Sequence, residues 1–327
     1  MPDPSKSVLT EPCERIIDSL NPVTWWRAAR RIAAEKPDVL LLQWWTPYWL
    51  PLMLTVSLIA RRARIPILYI CHEMSQPNTS ALGLFLARSV LRMGDAFIVM
   101  TQKDLGIAKR NLGDKPIYLV HHPIYDGFPR QGLGQAEARA SLGIEPKQPL
   151  LLFFGFVRHY KGLIYLLQAL GQLSQPPRLL IAGEFWENEA HYRNLIRQMG
   201  LDEHVIIHSR YIPNEEIENY FVSADALILP YLSSSQSGVG MLALNYGIPV
   251  IASSVGGFTE TVTHDATGLI VPPADSVALA AAIVRFYNEG LREPFRVEMS
   301  KARMRFSWEA LIRIIEETSN GIKCKGS

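Results

Sequence analysis

Two doubly wound α/β domains are the fold class this sequence predicts, and three observations predict it. Short apolar runs alternate with helix-length amphipathic segments along most of the chain. The runs are almost continuously apolar, as in strands buried on both faces of a parallel sheet. The rhythm pauses once, over the Gly-, Pro- and polar-rich stretch 126–147, so the runs fall into two sets. A length of 327 residues suits two domains at ~150 residues each, and 48% hydrophobic residues suffice for two cores.

The first domain, 1–125, contains "DVLLLQWW" (38–45), "PILYICH" (66–72), "AFIVMT" (96–101) and "IYLVHH" (117–122). These runs are too short for helices and are bounded by Pro, Gly or Asp, so they read as strands. The stretch 126–147 reads as a linker. The second domain, 148–303, repeats the pattern with "LLLFFGF" (150–156), "RLLIAGE" (178–184), "VIIHSRY" (205–211), "ALILPY" (226–231), "PVIAS" (249–253) and "GLIVP" (268–272). Helices are predicted at 163–173, 189–199, 214–223 and 276–288. The last segment, 304–327, opens with the amphipathic helix "SWEALIRIIEETSN".

Net charge is +2, which gives no argument for nucleic acid as a partner. The balance is uneven, with 15 Lys and Arg against 10 Asp and Glu in residues 1–125. Three cysteines, Cys13, Cys71 and Cys324, are too few and too scattered for a disulfide framework or a zinc site, and they fit a reducing compartment. The polar start has no signal-peptide core, and the most apolar stretch, 50–60, is about half the ~20 residues of a spanning helix. The expectation is a cytoplasmic protein, soluble or peripheral on a membrane.

Two stretches carry chemistry. In "FFGFVRHYKGLIYLLQAL" (153–170) a strand ends, Gly155 allows a tight turn, and Arg158 and Lys161 precede a helix. A fork of donors, a point charge and free helix-end amides suit a diphosphate. In "YLSSSQSGVGMLALNYGIPVIAS" (231–253) a Ser- and Gly-rich loop without one charged residue leads into a helix. Serines cap orphan amides, and Gly238 and Gly240 let a ligand approach the backbone. The ligand would supply the charge. Solvated loop cations and a plain Ser-rich turn are the bland alternatives.

Taken in this order, the two stretches resemble the group 1 retaining glycosyltransferases of GT-B fold, a "QSG"-loop subset above all. "GFVRHYKG" is similar to that group's phosphate-binding stretch. "QSGVGMLALNYGIPVIASSVGGFTE" is similar to its nucleotide-sugar stretch, and "GLIVPPAD", "DSLNPVTWWRAARRIAAEKPDVLLLQWW" and "ICHE" extend the likeness. The resemblance implies two Rossmann-like domains facing a cleft, with the last helix crossing back to the first domain. It implies transfer of a sugar from a nucleotide-sugar donor to a glycan or lipid-linked acceptor, with retention, in cell-surface polysaccharide or glycolipid assembly. Arg158 and Lys161 would hold the diphosphate and His72 would face the donor sugar, as the catalytic set. Gly155, Phe156, Glu184, Tyr211, Ser235, Gln236, Ser237, Gly238, Val239 and Glu260 would bind the donor. No metal and no cofactor are implied, and no nucleic acid. Arg27, Arg30 and Arg31, with Arg61, Arg62 and Arg64, make an anionic membrane surface a candidate partner.

Two departures from the family pattern stand out. Its Glu-x7-Glu acids fall here on Ser234 and Leu242, and a leucine cannot hydrogen-bond a ribose. The family's opening strand, Gly-rich loop and helix have no counterpart before Asp38, so the first domain is expected to be truncated at its amino end, leaving a strand edge unpaired. The alternative reading is a noncatalytic or partner-dependent nucleotide-sugar-binding remnant.

Overall fold

The structure is a computed structural model describing residues 5, 13–74, 79–233 and 237–326, of which 323–326 are described by backbone only. The chain divides into two compact units. One comprises Thr10–Pro123 with Arg305–Ser327, the other Ile124–Met304 with Met1–Leu9.

The amino-terminal unit starts with α1 (Pro22–Glu35), which is capped by the side chain of Asn21, carries Pro at its first position and is stopped by Lys36 in the left-handed region. Strands β1 (Leu40–Trp44), β2 (Ile67–Cys71), β3 (Ala96–Val99) and β4 (Ile117–Leu119) alternate with α2 (Leu50–Arg62), α3 (Ala81–Leu91) and α4 (Gln102–Leu112). The sheet is parallel, in the order β1-β2-β3-β4. Its strands follow chain order, so α2, α3 and α4 share one face, over Ile67, Tyr69, Cys71, Phe97 and Val99. The terminal helix (Trp308–Gly326) covers the other, with Leu311 over Leu68, Ile70 and Ile98. Burial on both faces explains why β2 and β3 lack polar alternation in the sequence. Among the described residues β1 pairs on one side only and is partly exposed along its length. Cys71 is fully buried, and its thiol is pushed up by that burial.

The carboxy-terminal unit contains α5 (Gln135–Ser141), β5 (Leu150–Phe154), α6 (Leu163–Gly171), β6 (Arg178–Ala182), α7 (Glu189–Gln198), β7 (Val205–His208), α8 (Ile217–Ser223), β8 (Ala226–Leu229), α9 (Gly238–Tyr246), β9 (Val250–Ser253), α10 (Phe258–Thr261), β10 (Gly268–Val271), α11 (Ser276–Asn288) and α12 (Arg292–Ala302). Its six-stranded parallel sheet runs β10-β9-β8-β5-β6-β7. The chain winds outward from β5 through β6 to β7. It then returns to β8, beside β5, and winds the other way. Strand order therefore reverses between β5 and β8, and a crevice opens beyond their carboxyl ends.

The stretch 126–147, expected as a linker, is instead packed into this unit. The Glu218 carboxylate, 1% exposed, accepts the backbone N–H groups of Gln131, Gly132 and Leu133. Arg139, in α5, donates to Ser223 O at 2.8 Å and pairs with Asp225 at 3.0 Å. Asp225 also accepts the N–H of Leu150, at the start of β5. A composition rich in Gly and polar residues looked like a spacer because these anchors lie some 80 residues away in sequence.

Candidate functional site

The two stretches singled out from the sequence follow β5 and β8, the strands on either side of the reversal. Their loops lock together through glycines. Gly162 sits at φ 69°, and a Cβ there would lie 1.9 Å from the carbonyl oxygen of Pro230. Gly183, after β6, is similarly tight, its Cβ position 2.2 Å from the Gly155 oxygen. No L side chain fits at either point, so the three loops approach as only glycine permits. Leu232 N–H donates to Tyr160 O at 2.7 Å and completes the clamp.

That clamp holds Lys161 inward. It is 6% exposed, and its Nζ lies 5.5 Å from the centre of the Tyr231 ring. A Cβ on Gly155 would come within 2.9 Å of the same Nζ, so Gly155 leaves the room the ammonium occupies. Burial, with the charge of Arg158 nearby, lowers its pKa to about 8. Among the described residues no carboxylate offsets this charge. A buried cation without a partner is costly, and an anionic ligand removes the cost.

Lys161 faces a cleft of about 530 Å³ lined by Tyr125, Phe128, Tyr160, Tyr231, Ser237 and the start of α9 at Gly238 and Val239. Ser237 caps α9, its Oγ accepting from Gly240 N–H at 3.3 Å. Gly238 has a packing role beyond ligand access, since a Cβ there would meet the Tyr125 ring at 2.8 Å. Leu242, one turn into α9, lies in the wall and is 6% exposed, so that position is apolar where the family pattern has an acid.

Of the sequence-predicted donor set, Lys161, Ser237, Gly238 and Val239 meet in this cleft. Ser234, Ser235 and Gln236 lie outside the described residues. Gly155 and Phe156 are in the loop after β5, with Arg158 beside them. The Arg158 guanidinium sits 4.0 Å from the centre of the Trp186 ring. Glu184, Tyr211 and Glu260 are not in the cleft wall. Glu184 instead turns its carboxylate to the indole N–H of Trp186, at 3.2 Å. Glu260 lies half-buried in the single turn of α10. The sequence reading missed Tyr125, Phe128, Tyr160 and Tyr231. The pair of aromatics in "YDGF" (125–128) was the available signal.

His72 belongs to the amino-terminal unit, just past β2. Its ring stacks on Trp45 at 3.8 Å and 9°, and its Nε2 lies 2.5 Å from Gln43 Oε1. With Gln43 accepting, the proton sits on Nε2, and the buried Nδ1, which has no partner among the described residues, carries the lone pair. Burial, then the nearby His122, lowers its pKa to about 4, so the imidazole is neutral at physiological pH.

Residues 148–289 match the family model of the group 1 glycosyl transferases. The chain is 27% identical over 190 residues to an uncharacterized glycosyltransferase of Methanocaldococcus jannaschii, covering 57% of this chain and 47% of that protein. It is 26% identical over 286 residues to a D-inositol 3-phosphate glycosyltransferase of Xylanimonas cellulosilytica, covering 81% of this chain and 68% of that one. The chain thus spans about half the length of the first relative and about two thirds of the second. In fold it is similar to Anabaena HepE solved with UDP, with a TM-score of 0.78 at 18% identity, covering 94% of this chain and 85% of that one. Other structures of HepE hold UDP and glucose, or UDP-glucose.

Proposed function

From a chain of GT-B fold whose residues 148–289 form a group 1 glycosyltransferase domain, we infer a retaining sugar transfer from a nucleotide-sugar donor. One observation carries this reading: Lys161 is a buried cation with no counterion among the described residues, at the point where strand order reverses, beside the start of α9. That position favours a phosphate ligand electrostatically. In the proposed reaction Lys161 and Arg158 take up the charge that builds on the departing nucleoside diphosphate, with no metal or cofactor. The amides of Gly238 and Val239 and the Ser237 hydroxyl contact the donor. The buried Nδ1 of His72 accepts a hydrogen bond from a sugar hydroxyl. HepE, a relative in fold, is known with UDP-glucose, which makes uridine the first base to test.

The proposed acceptor is a glycan or lipid-linked glycan of cell-surface polysaccharide or glycolipid assembly, reached at the cytoplasmic face of a membrane. Among the described residues no helix is long and apolar enough to cross a membrane. A peripheral contact is supported by the outer faces of α2 and α3, where Leu58, Leu82, Phe85 and Leu86 are exposed among arginines. A second reading, donor binding without turnover, has one observation in its favour: among the described residues no carboxylate lines the cleft.

Calorimetric titration with UDP-, GDP- and ADP-sugars, beside Lys161→Ala, tests the donor site. The expected result is micromolar binding of one nucleotide class that the substitution abolishes. A folded, monodisperse chain that binds none of them refutes the assignment. Proton NMR of the product, showing the donor's anomeric configuration kept or inverted, tests retention.

A further inference from the structure

The neighbours of Arg158 are a different matter from the cleft itself. No carboxylate among the described residues pairs with its guanidinium, which lies over the Trp186 ring at 4.0 Å. Trp186 is held at three points, two of them on the ring. The Trp186 backbone N–H donates to Val157 O at 3.1 Å, the indole N–H donates to Glu184 Oε2 at 3.2 Å, and the Phe156 ring packs on the indole at 4.6 Å. A parallel bridge between Val157 and Phe185 ties the loops after β5 and β6 beyond the ends of their strands. Trp186 is nevertheless 55% exposed, so core packing does not account for so well-held a ring.

We propose that Trp186, held by Glu184, is a positioning residue that presets Arg158 for the diphosphate of the donor; this rests on the donor-site reading above. An aromatic plane orders a guanidinium in a way a carboxylate cannot. A carboxylate would neutralise the charge and occupy the hydrogen-bonding fork. The ring attracts the cation through its face and leaves the in-plane N–H donors free. A long side chain otherwise loses much rotamer freedom when it grips a ligand, and ordering it in advance reduces that loss on binding. Glu184 then acts through Trp186, by accepting its indole N–H, rather than by touching the donor.

The test is a double-mutant cycle read by calorimetric titration with UDP, using Trp186→Leu, Arg158→Ala and both together. Trp186→Leu is expected to weaken UDP binding by about tenfold. Added to Arg158→Ala, it is expected to change nothing further. Trp186→Phe keeps a ring face and should recover most of the affinity. Glu184→Ala removes the acceptor of the indole N–H and should weaken UDP binding in part, and Glu184→Gln, which keeps an acceptor oxygen, should recover most of that loss. Thermal unfolding should stay the same throughout, since Trp186 is half exposed.

Unchanged binding by Trp186→Leu overturns the proposal. So does an equal loss in both backgrounds, which would make the ring a direct ligand contact, and so does a large loss in Glu184→Gln. If the unaltered chain binds UDP and Lys161→Ala does not, any such failure falls on Trp186 alone. If the unaltered chain binds no nucleoside diphosphate, the donor site and this inference fall together.

Discussion

Lys161 shows how one side chain can be costly to the fold and useful to the site. Its ammonium is 6% exposed, and its pKa has dropped from 10.5 to about 8. The unfolded chain keeps the proton up to about 10.5, while the folded chain releases it near 8. Between those values the unfolded state binds more protons, so stability rises with pH across that window. Below it the desolvation penalty is present in full, on the order of 3 kcal/mol. Lys161→Met is therefore expected to raise stability at pH 7 by up to roughly that amount and to flatten the rise above pH 8. Urea unfolding at pH 7 and pH 10 measures both effects, and a less stable variant at pH 7 would show that the charge is compensated after all. The same substitution should abolish diphosphate binding. Binding near pH 8 should draw in a proton, because an anion favours the charged amine; titrations in buffers of different ionisation heat detect it. His72 follows the same direction in a more acidic window. With its pKa lowered to about 4, its stabilising neutral form is complete above the unfolded value near 6.5 and is lost as pH falls toward 4.

The elements around these residues were legible in the sequence to different degrees. The ten strands were readable as bounded apolar runs, and in β2, β3, β5, β8 and β9 burial on both faces removes the alternation. Placing the Lys161 loop and the Ser- and Gly-rich loop side by side required the sheet order. They lie about 70 residues apart, and only the reversal between β5 and β8 makes them neighbours. Helices α2 and α3 show the limit of pattern reading. Both are apolar almost all round, yet Leu82 and Phe85 are 67% and 66% exposed, and Leu54 and Leu58 about 40%. Arg62, Arg88 and Arg92 lie on the same two helices or just beyond, and neither helix carries an acid. Such a face favours an anionic lipid surface. Co-sedimentation with vesicles containing anionic phospholipid is expected to deplete the chain from solution. Phe85→Glu with Leu82→Glu should reduce that depletion severalfold, without affecting nucleotide binding. Equal recovery with neutral and anionic vesicles would remove the electrostatic part of the argument.

Taken whole, the chain forms two compact units, and the terminal helix belongs to the unit of residues 10–123. Leu311, Ile314 and Ile315 cover the face of β2 and β3 formed by Leu68, Ile70 and Ile98. A chain ended at Met304 would leave that face bare, and a large exposed apolar patch promotes aggregation. Size-exclusion chromatography should find the shortened chain aggregated or insoluble. A monodisperse shortened chain would mean that other residues cover the sheet.

By itself, the amino-acid sequence determined the α/β class, the ten strands and the stretches that carry Arg158, Lys161 and the Ser- and Gly-rich loop. Those features are local: a buried strand, a helix start and a glycine turn each leave their mark within a dozen residues. Tertiary structure alone decided that residues 126–147 fold into the second unit, that Leu242 lines the cleft wall, and that Glu184 faces Trp186 instead of the cleft. It also decided that Lys161 lacks a counterion among the described residues. Each of these depends on contacts between chain segments that meet only when the sheet assembles, and burial and charge pairing are properties of that assembly.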